Sequence, residues 1–339
     1  MDQLPYSPLL LPLSWLYGLG TEIRNLLYDC GLFSSKTYST PVICVGNITV
    51  GGTGKTPHTE YIVRLLHENY RVAVLSRGYK RKSKGFLLAN SQSTADELGD
   101  EPFQIHQKFP NIRVAVDADR CHGIELLEDM FSHDNYDKRP PCIILDDAYQ
   151  HRNVKAGLNI LLIDYSRPIY KDHLLPAGRL RECSKRKDRA DIIIVTKCPP
   201  KLSGTEQSAI EQQIDPAHWQ KLFFSTYQYS ELPTDSSVLL VTGIANPKPL
   251  EDKLKEMGND VVSIQYNDHH DYTPKDIDEI SSKASGRILL TTEKDAAKLQ
   301  AFSLNKLSYK VVSVEVGILN ENTETFNKII TDYADKGTW

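Results

Sequence analysis

The chain has 339 residues, enough for two ordinary domains or one large one. Apolar residues make up 40% and charged residues 25%, as in a soluble globular protein, and a net charge of -4 gives a nucleic-acid partner no support. The six cysteines include no Cys-x-x-Cys pair, and half lie in or beside apolar runs. They read as buried free thiols of a reducing cytoplasm rather than a disulfide framework.

From Gln3 to Thr21 there is no charged side chain, and Leu9, Leu10, Leu11, Leu13, Trp15, Leu16, Tyr17 and Leu19 make the stretch apolar. It lacks the basic start of a secretory signal. Pro5, Pro8 and Pro12 confine a continuous helix to the part after Pro12, which is too short to span a bilayer. Through Glu22, Arg24, Tyr28 and Asp29 the segment becomes amphipathic. Two placements fit such a helix: flat in the headgroup boundary of a membrane, or packed on the protein's own core.

The apolar run Val42–Gly46 reads as a buried strand, followed by a glycine-rich stretch and by helical spacing from Pro57 to Leu66. Further strands are expected at Arg71–Ser76, Pro141–Asp146, Leu158–Asp164 and Asp191–Thr196. They are β-branched and apolar on both faces, as strands of a covered parallel sheet are. Helical stretches lie between several of them, and Gly51-Gly-Thr-Gly-Lys-Thr56 follows the first strand, so the fold class is α/β: a P-loop NTPase-like, doubly wound, mainly parallel sheet. A second group, Ser237–Thr242, Val261–Ile264, Arg287–Thr292 and Lys310–Glu315, predicts a smaller α/β subdomain. The polar, proline-bearing stretch from Pro199 to Asp235 separates the groups. The expected division is residues 1–35 for the N-terminal helix, 36–200 for the core and 201–339 for the C-terminal subdomain.

The glycine-rich stretch is a phosphate-binding loop. Thr49, Val50, Gly51, Gly52, Thr53, Gly54, Lys55 and Thr56 form the expected nucleotide site. The glycines let backbone N–H groups turn onto phosphate oxygens, Lys55 reaches the β- and γ-phosphates, and the Thr56 hydroxyl can ligate Mg2+. Thr49 stands where the strict pattern has its first glycine. The partner acid is expected at the end of another core strand, where Asp146 and Asp147 end an apolar run. One can hold Mg2+ or its water, and the other can orient it or contact substrate.

Two signatures are missing. Val50 replaces the lysine common before the first glycine of partitioning ATPases, and Thr196-Lys197 is followed by Cys198 and Pro199 rather than the aspartate of guanine-specific GTPases. With no protein-kinase motifs either, a kinase of a non-protein substrate gains weight.

Val45–Pro57, Leu75–Tyr79, Gly99–Pro102, Leu145–His151, Leu174–Glu182, Asp268–Tyr272 and Thr291–Asp295, in that order, resemble the tetraacyldisaccharide 4'-kinase family of Gram-negative lipid A synthesis. The resemblance spans roughly residues 5 to 300. Ala148 departs from the glycine many members carry after the paired acids. The resemblance implies transfer of the γ-phosphoryl group of ATP to the 4'-hydroxyl of a tetraacyldisaccharide 1-phosphate, giving lipid IVA. It also implies a peripheral place on the cytoplasmic face of the inner membrane, with the N-terminal helix at the interface. No nucleic-acid and no obligate protein partner is expected.

A sugar hydroxyl needs a base beside it. Asp100 is the first choice, and the family pattern pairs it with His269 of the C-terminal subdomain. Asp100 before Glu101-Pro102 also suits a helix N-cap. The resemblance places Arg181 and Glu182 on the active-site face, with Arg77 and Arg120 as further substrate candidates. The basic stretches around residues 179–189 and 80–84 can meet a phosphate or anionic lipid, or remain solvated loops. A zinc site at Asp268–Asp271 is disfavoured, because adjacent histidines diverge and no further ligand motif follows. His151 and His173 read as structural or surface residues. Thr292–Asp295 either touches nucleotide or braces its subdomain.

Overall fold

The computed structural model describes residues 7–134, 136–244, 246–267, 270–299 and 309–337. The chain divides into two compact units, residues 1–227 with 316–339, and residues 228–315.

The larger unit begins with helix α1 (Leu11–Asp29). Then follow β1 (Val42–Gly46), α2 (Lys55–Leu66), β2 (Arg71–Ser76), β3 (Leu87–Leu88), α3 (Ala95–Leu98), α4 (Asp100–Lys108), β4 (Arg113–Val116) and α5 (Arg120–His133). Next come β5 (Pro141–Asp146), β6 (Leu158–Asp164), β7 (Ile192–Thr196), α6 (Gly204–Ile214) and β8 (Lys221–Tyr229). The smaller unit holds β9 (Ser237–Thr242), α7 (Lys248–Glu256), β10 (Asp260–Gln265), α8 (Pro274–Ala284), β11 (Ile288–Thr292), α9 (Glu293–Leu299) and β12 (Tyr309–Val312). The chain then returns to the larger unit through β13 (Val314–Ile318) and α10 (Thr323–Lys336).

The large sheet has nine strands in the order β13-β8-β7-β6-β1-β5-β2-β4-β3. The pairings from β8 to β4 are parallel, and β3 lies antiparallel to β4. Alternation along β1 sends Ile43 and Val45 to the face covered by α2 and α10, and Val42 and Cys44 to the face covered by α5. Burial on both faces explains why these strands read as unbroken apolar runs. Cys44, Cys142 and Cys198 are buried free thiols. The smaller sheet, β10-β9-β11-β12, is parallel throughout, with α7 packed on one face and α8 and α9 on the other.

The expected strands are present, with three differences. The polar stretch after Pro199 is not a linker: it contains α6 and β8, so the larger unit extends past residue 200. The run Lys310–Glu315 breaks at Ser313, giving β12 of the small sheet and β13 of the large one. The last helix belongs to the larger unit, where the Tyr333 hydroxyl lies 3.0 Å from both N and O of Val42. Phe326 and Ile330 on the same helix side join the β1 core. A single 201–339 subdomain therefore does not describe the architecture. These placements are non-local, and local periodicity carries no signal for them.

Candidate active site

Helix α2 starts directly after the loop that leaves β1, so its unpaired N–H groups face that loop. Gly51 and Gly54 have φ of 101° and 90°. A side chain at Gly54 is excluded twice, because its Cβ would also lie 2.5 Å from the Tyr227 hydroxyl. Inside the loop, Asn47 donates to the hydroxyl of Thr53 at 2.7 Å. His58, on the first turns of α2, has Nδ1 2.7 Å from the Gly54 carbonyl and Nε2 2.9 Å from the Ser225 hydroxyl. The carbonyl can only accept, so Nδ1 carries the proton and Ser225 donates to Nε2. Burial pushes this imidazole down to about 4, so it is a neutral brace.

The loop's first residues pair with a distant segment. Val50 N donates to Arg179 O at 2.8 Å, and Arg181 N donates to Ile48 O at 2.7 Å. This short ladder carries Arg181 to the paired acids. Its Nη1 lies 3.1 and 3.3 Å from the two carboxylate oxygens of Asp147, and Lys55 Nζ lies 3.8 Å from Oδ2. Burial raises the Asp147 carboxyl, but the cations of Lys55 and Arg181 outweigh it and hold the group below the ordinary carboxylate range. Its backbone sits in the left-handed region at φ 49°, which Asp tolerates better than most residues.

Asp146 behaves differently. It is fully buried, Thr59 donates to Oδ1 at 3.1 Å, and Oδ2 has no hydrogen-bond partner among the described residues. Burial, then the charges of Glu101 and Asp147, push this carboxyl up to about 7. An orphaned buried carboxylate oxygen beside the loop's lysine fits a divalent cation, with the Thr56 hydroxyl as a second oxygen donor. Among the described residues, no group of three His, Cys, Asp or Glu could hold a metal without further ligands. Mg2+ suits such a site, because it keeps waters and phosphate oxygens in its shell.

A cavity of about 320 Å3 opens over these residues, lined by Asp147, Arg181, Glu182, Arg77 and Glu101 and closed on one side by Tyr17 and Arg24 of α1. Helix α1 packs through its small and polar face. Ser14 Oγ donates to Leu174 O at 2.9 Å, Asn25 Nδ2 donates to Glu182 Oε1 at 3.1 Å, and Tyr17 donates to Arg181 O at 2.9 Å. A Cβ on Gly18 would come within 2.7 Å of Leu174. The apolar face points outward: Trp15, Leu16 and Leu26 are each at least 60% exposed. Among the described residues, no helix is long and apolar enough to cross a membrane.

Several expected residues take other places. Arg120 is wholly buried and donates to Asp117 O at 2.6 Å. Its Nε and Nη2 have no hydrogen-bond partner among the described residues, and it lines no part of this cavity. Burial lowers its guanidinium to about 10, offset by Asp146 and Asp147, so it acts on the acids through their field. Glu182 reaches the cavity but is also held by Asn25 and Arg189. Much of the basic stretch is paired within the protein: Arg186 meets Glu22 and Asp29, and Arg189 stacks on Tyr149. Asp100 is the first residue of α4, with Gly99 rather than Asp100 at the N-cap. His269 and Asp268 lie outside the described residues. In the smaller unit, Asp295 is buried and accepts from Thr292 Oγ1 at 2.7 Å, Tyr272 Oη at 3.0 Å and Gly243 N at 3.0 Å. The Thr292–Asp295 motif thus braces that unit.

Gln150 and His151 also line the cavity, and sequence reasoning gave neither a role there. Burial, then Arg120 and Arg77, lower His151 to about 4, so it faces the cavity uncharged. Their signal in the sequence was membership of the Leu145–His151 motif beside the paired acids.

A phosphate loop, an orphaned acid at the end of a neighbouring strand and a cationic clamp on its companion together define a P-loop phosphotransferase. A family model described as tetraacyldisaccharide-1-P 4'-kinase matches residues 6–334. A tetraacyldisaccharide 4'-kinase of Phocaeicola vulgatus is 46% identical, covering 97% of this chain and 95% of that protein. One from Flavobacterium johnsoniae is also 46% identical, covering 86% and 87%. A crystal structure of LpxK from Aquifex aeolicus in complex with ATP superposes with a TM-score of 0.70 at 33% identity, covering 95% of this chain and 98% of that one. The chain belongs to the tetraacyldisaccharide 1-phosphate 4'-kinase family.

Proposed function

We propose that this protein transfers the γ-phosphoryl group of ATP to the 4'-hydroxyl of a tetraacyldisaccharide 1-phosphate, working at the cytoplasmic surface of the inner membrane. The observation that carries the reading is the joining of the phosphate loop, Asp146, Asp147 and Arg181 beneath a helix whose apolar face is turned outward. A lipid kinase needs both features. Its donor is a soluble polyanion, while its acceptor's acyl chains stay in the bilayer.

The loop N–H groups and Lys55 bind the β- and γ-phosphates. Thr56 and Asp146 would hold Mg2+, which when bound neutralises phosphate charge. Arg181, held at the mouth of the cavity by Asp147, meets charge on the transferring group or on the acceptor. Asp100 takes the proton of the 4'-hydroxyl as its oxygen attacks the γ-phosphorus. The bond from the γ-phosphorus to the bridging oxygen breaks, and ADP leaves with that oxygen. His269 as the residue that orients Asp100 rests on the family pattern. Arg77 and Glu182 line the acceptor cavity.

Incubation of the purified chain with ATP, Mg2+ and the disaccharide 1-phosphate in detergent is expected to give the bisphosphate. ATP hydrolysis without lipid product would instead favour a nucleotide switch, and phosphorylation of a water-soluble alcohol alone would favour a soluble small-molecule kinase. Replacing Asp100 or His269 is expected to lower kcat far more than ATP affinity. Equal losses in both would assign them structural roles.

A further inference from the structure

The back of the phosphate loop is gripped by side chains that the reaction itself does not call for. Lys197, immediately after β7, donates through Nζ to Gly52 O and, at 2.7 Å, to Asp164 Oδ2. Arg167 Nη2 donates to the same two acceptors, at 3.3 and 3.0 Å. Thr196 Oγ1 donates to Thr53 O at 2.8 Å. Asp164, at the end of β6, is 2% exposed and is fixed in turn by Ser166 at 2.6 Å. Lys197 itself sits in the left-handed region at φ 58°, which few non-glycine residues occupy.

In a trans peptide the carbonyl of one residue and the N–H of the next point in opposite directions. Fixing the Gly52 carbonyl backward therefore turns the Thr53 N–H forward, and fixing the Thr53 carbonyl turns the Gly54 N–H forward. Two consecutive peptide planes are set this way, in a loop whose glycines would otherwise leave them free to rotate. Two cations against one carboxylate also leave the cluster positive behind the phosphates.

We infer that Lys197, with Thr196 and Arg167, positions the phosphate loop by locking the Gly52 and Thr53 carbonyls away from the nucleotide, so that two N–H groups are pre-set for its β-phosphate. The inference rests on the reading of this loop as the ATP site. Thr196-Lys197 thus serves the phosphates, independently of any base-reading aspartate at the position held by Pro199.

The test is binding of ADP and of AMP, each with Mg2+, to the full-length chain by calorimetry, with thermal melting as the fold control. Lys197→Met keeps the stem and removes the ammonium, while Thr196→Val keeps the shape and removes the hydroxyl. ADP affinity is expected to fall at least tenfold in the first and several-fold in the second, with AMP affinity changed less than twofold and unaltered melting. In turnover, the KM for ATP should rise while that for the lipid stays constant. Unchanged ADP affinity in a folded variant, or equal losses for ADP and AMP, would overturn the inference. If Lys197→Met does not fold, Thr196→Val decides by the same criteria. If the wild type binds ADP no better than a Lys55→Met variant does, the reading of the loop itself fails instead.

Discussion

Arg181 reaches both carboxylate oxygens of Asp147, at 3.1 and 3.3 Å, and the same carboxylate lies 3.8 Å from Lys55. One anion thereby holds two cations that come from segments far apart in the chain. Asp147→Asn keeps a residue that tolerates the left-handed backbone and removes only the charge. Turnover is expected to fall on the order of 10²-fold, with melting little changed, because the cations lose their fixed positions. Steady-state kinetics beside a melting curve checks this, and Asp147→Ala should be less stable than Asp147→Asn.

Asp146 should show a different dependence. Its Oδ2 has no hydrogen-bond partner among the described residues, so the loss on Asp146→Asn should be one of metal affinity. A Mg2+ titration of activity is expected to move to higher concentration by on the order of tenfold or more. An unshifted titration curve with reduced kcat would place the residue outside the metal's shell.

Gly54→Ala tests the loop's geometry. The position requires a left-handed backbone and has the Tyr227 hydroxyl 2.5 Å from any added Cβ. The strain amounts to roughly 1–3 kcal/mol, so melting should drop and ATP binding should weaken together. Adding Tyr227→Phe removes the clashing oxygen and should recover part of the loss. No recovery would mean that backbone conformation alone sets the cost.

The outward face of α1 predicts membrane affinity that side chains can remove. Replacing Leu16 and Leu19 by Glu deletes two exposed leucines from that face without touching Ser14, Gly18 or Asn25, which pack inward. Each leucine is worth about 1.5 kcal/mol when buried in an apolar medium, so vesicle partitioning should fall roughly 10²-fold for the pair. Activity on a detergent-dispersed acceptor should persist. Unchanged sedimentation with vesicles would contradict an interfacial helix.

The docking of α1 should loosen in acid. Some burial raises the Asp29 carboxyl, but hydrogen bonds from Arg152 and Arg186 prevail and lower it below its ordinary value of 3.8. A depressed folded-state pKa stabilises above the unfolded value and is lost as pH falls through the folded one. Protection of the α1 amides, corrected for the intrinsic exchange rate at each pH, is therefore expected to fall below about pH 4, and Asp29→Asn should show lower protection already at neutral pH. Identical profiles for the two proteins would mean that Asp29 does not anchor the helix.

Local chemistry was legible where it is contiguous. Strand, loop and helix around Gly51–Lys55 lie in one stretch, and the acids Asp146 and Asp147 end an apolar run, so both could be read from order and spacing. Arg120 illustrates the opposite case. The family resemblance made it a substrate candidate, but burial at 0% exposure makes it a source of field behind the acids. The boundary near residue 200 also failed to register β8 and the return of α10, because strand neighbours and a helix's docking partner are decided by distant residues.

The donor chemistry and the alternation that builds a parallel sheet are legible in the chain, since both depend on residues adjacent in it. How those groups and their cations are brought together rests with the tertiary structure. The pairing of residues 48–50 with 179–181 brings Arg181 to Asp147, and the ends of β6 and β7 bring Asp164 and Lys197 behind Gly52. It also decided that α1 turns its polar face inward. Hydrogen bonds from Ser14 and Asn25 to segments far along the chain fix that rotation, and no helical period can say which side will meet them.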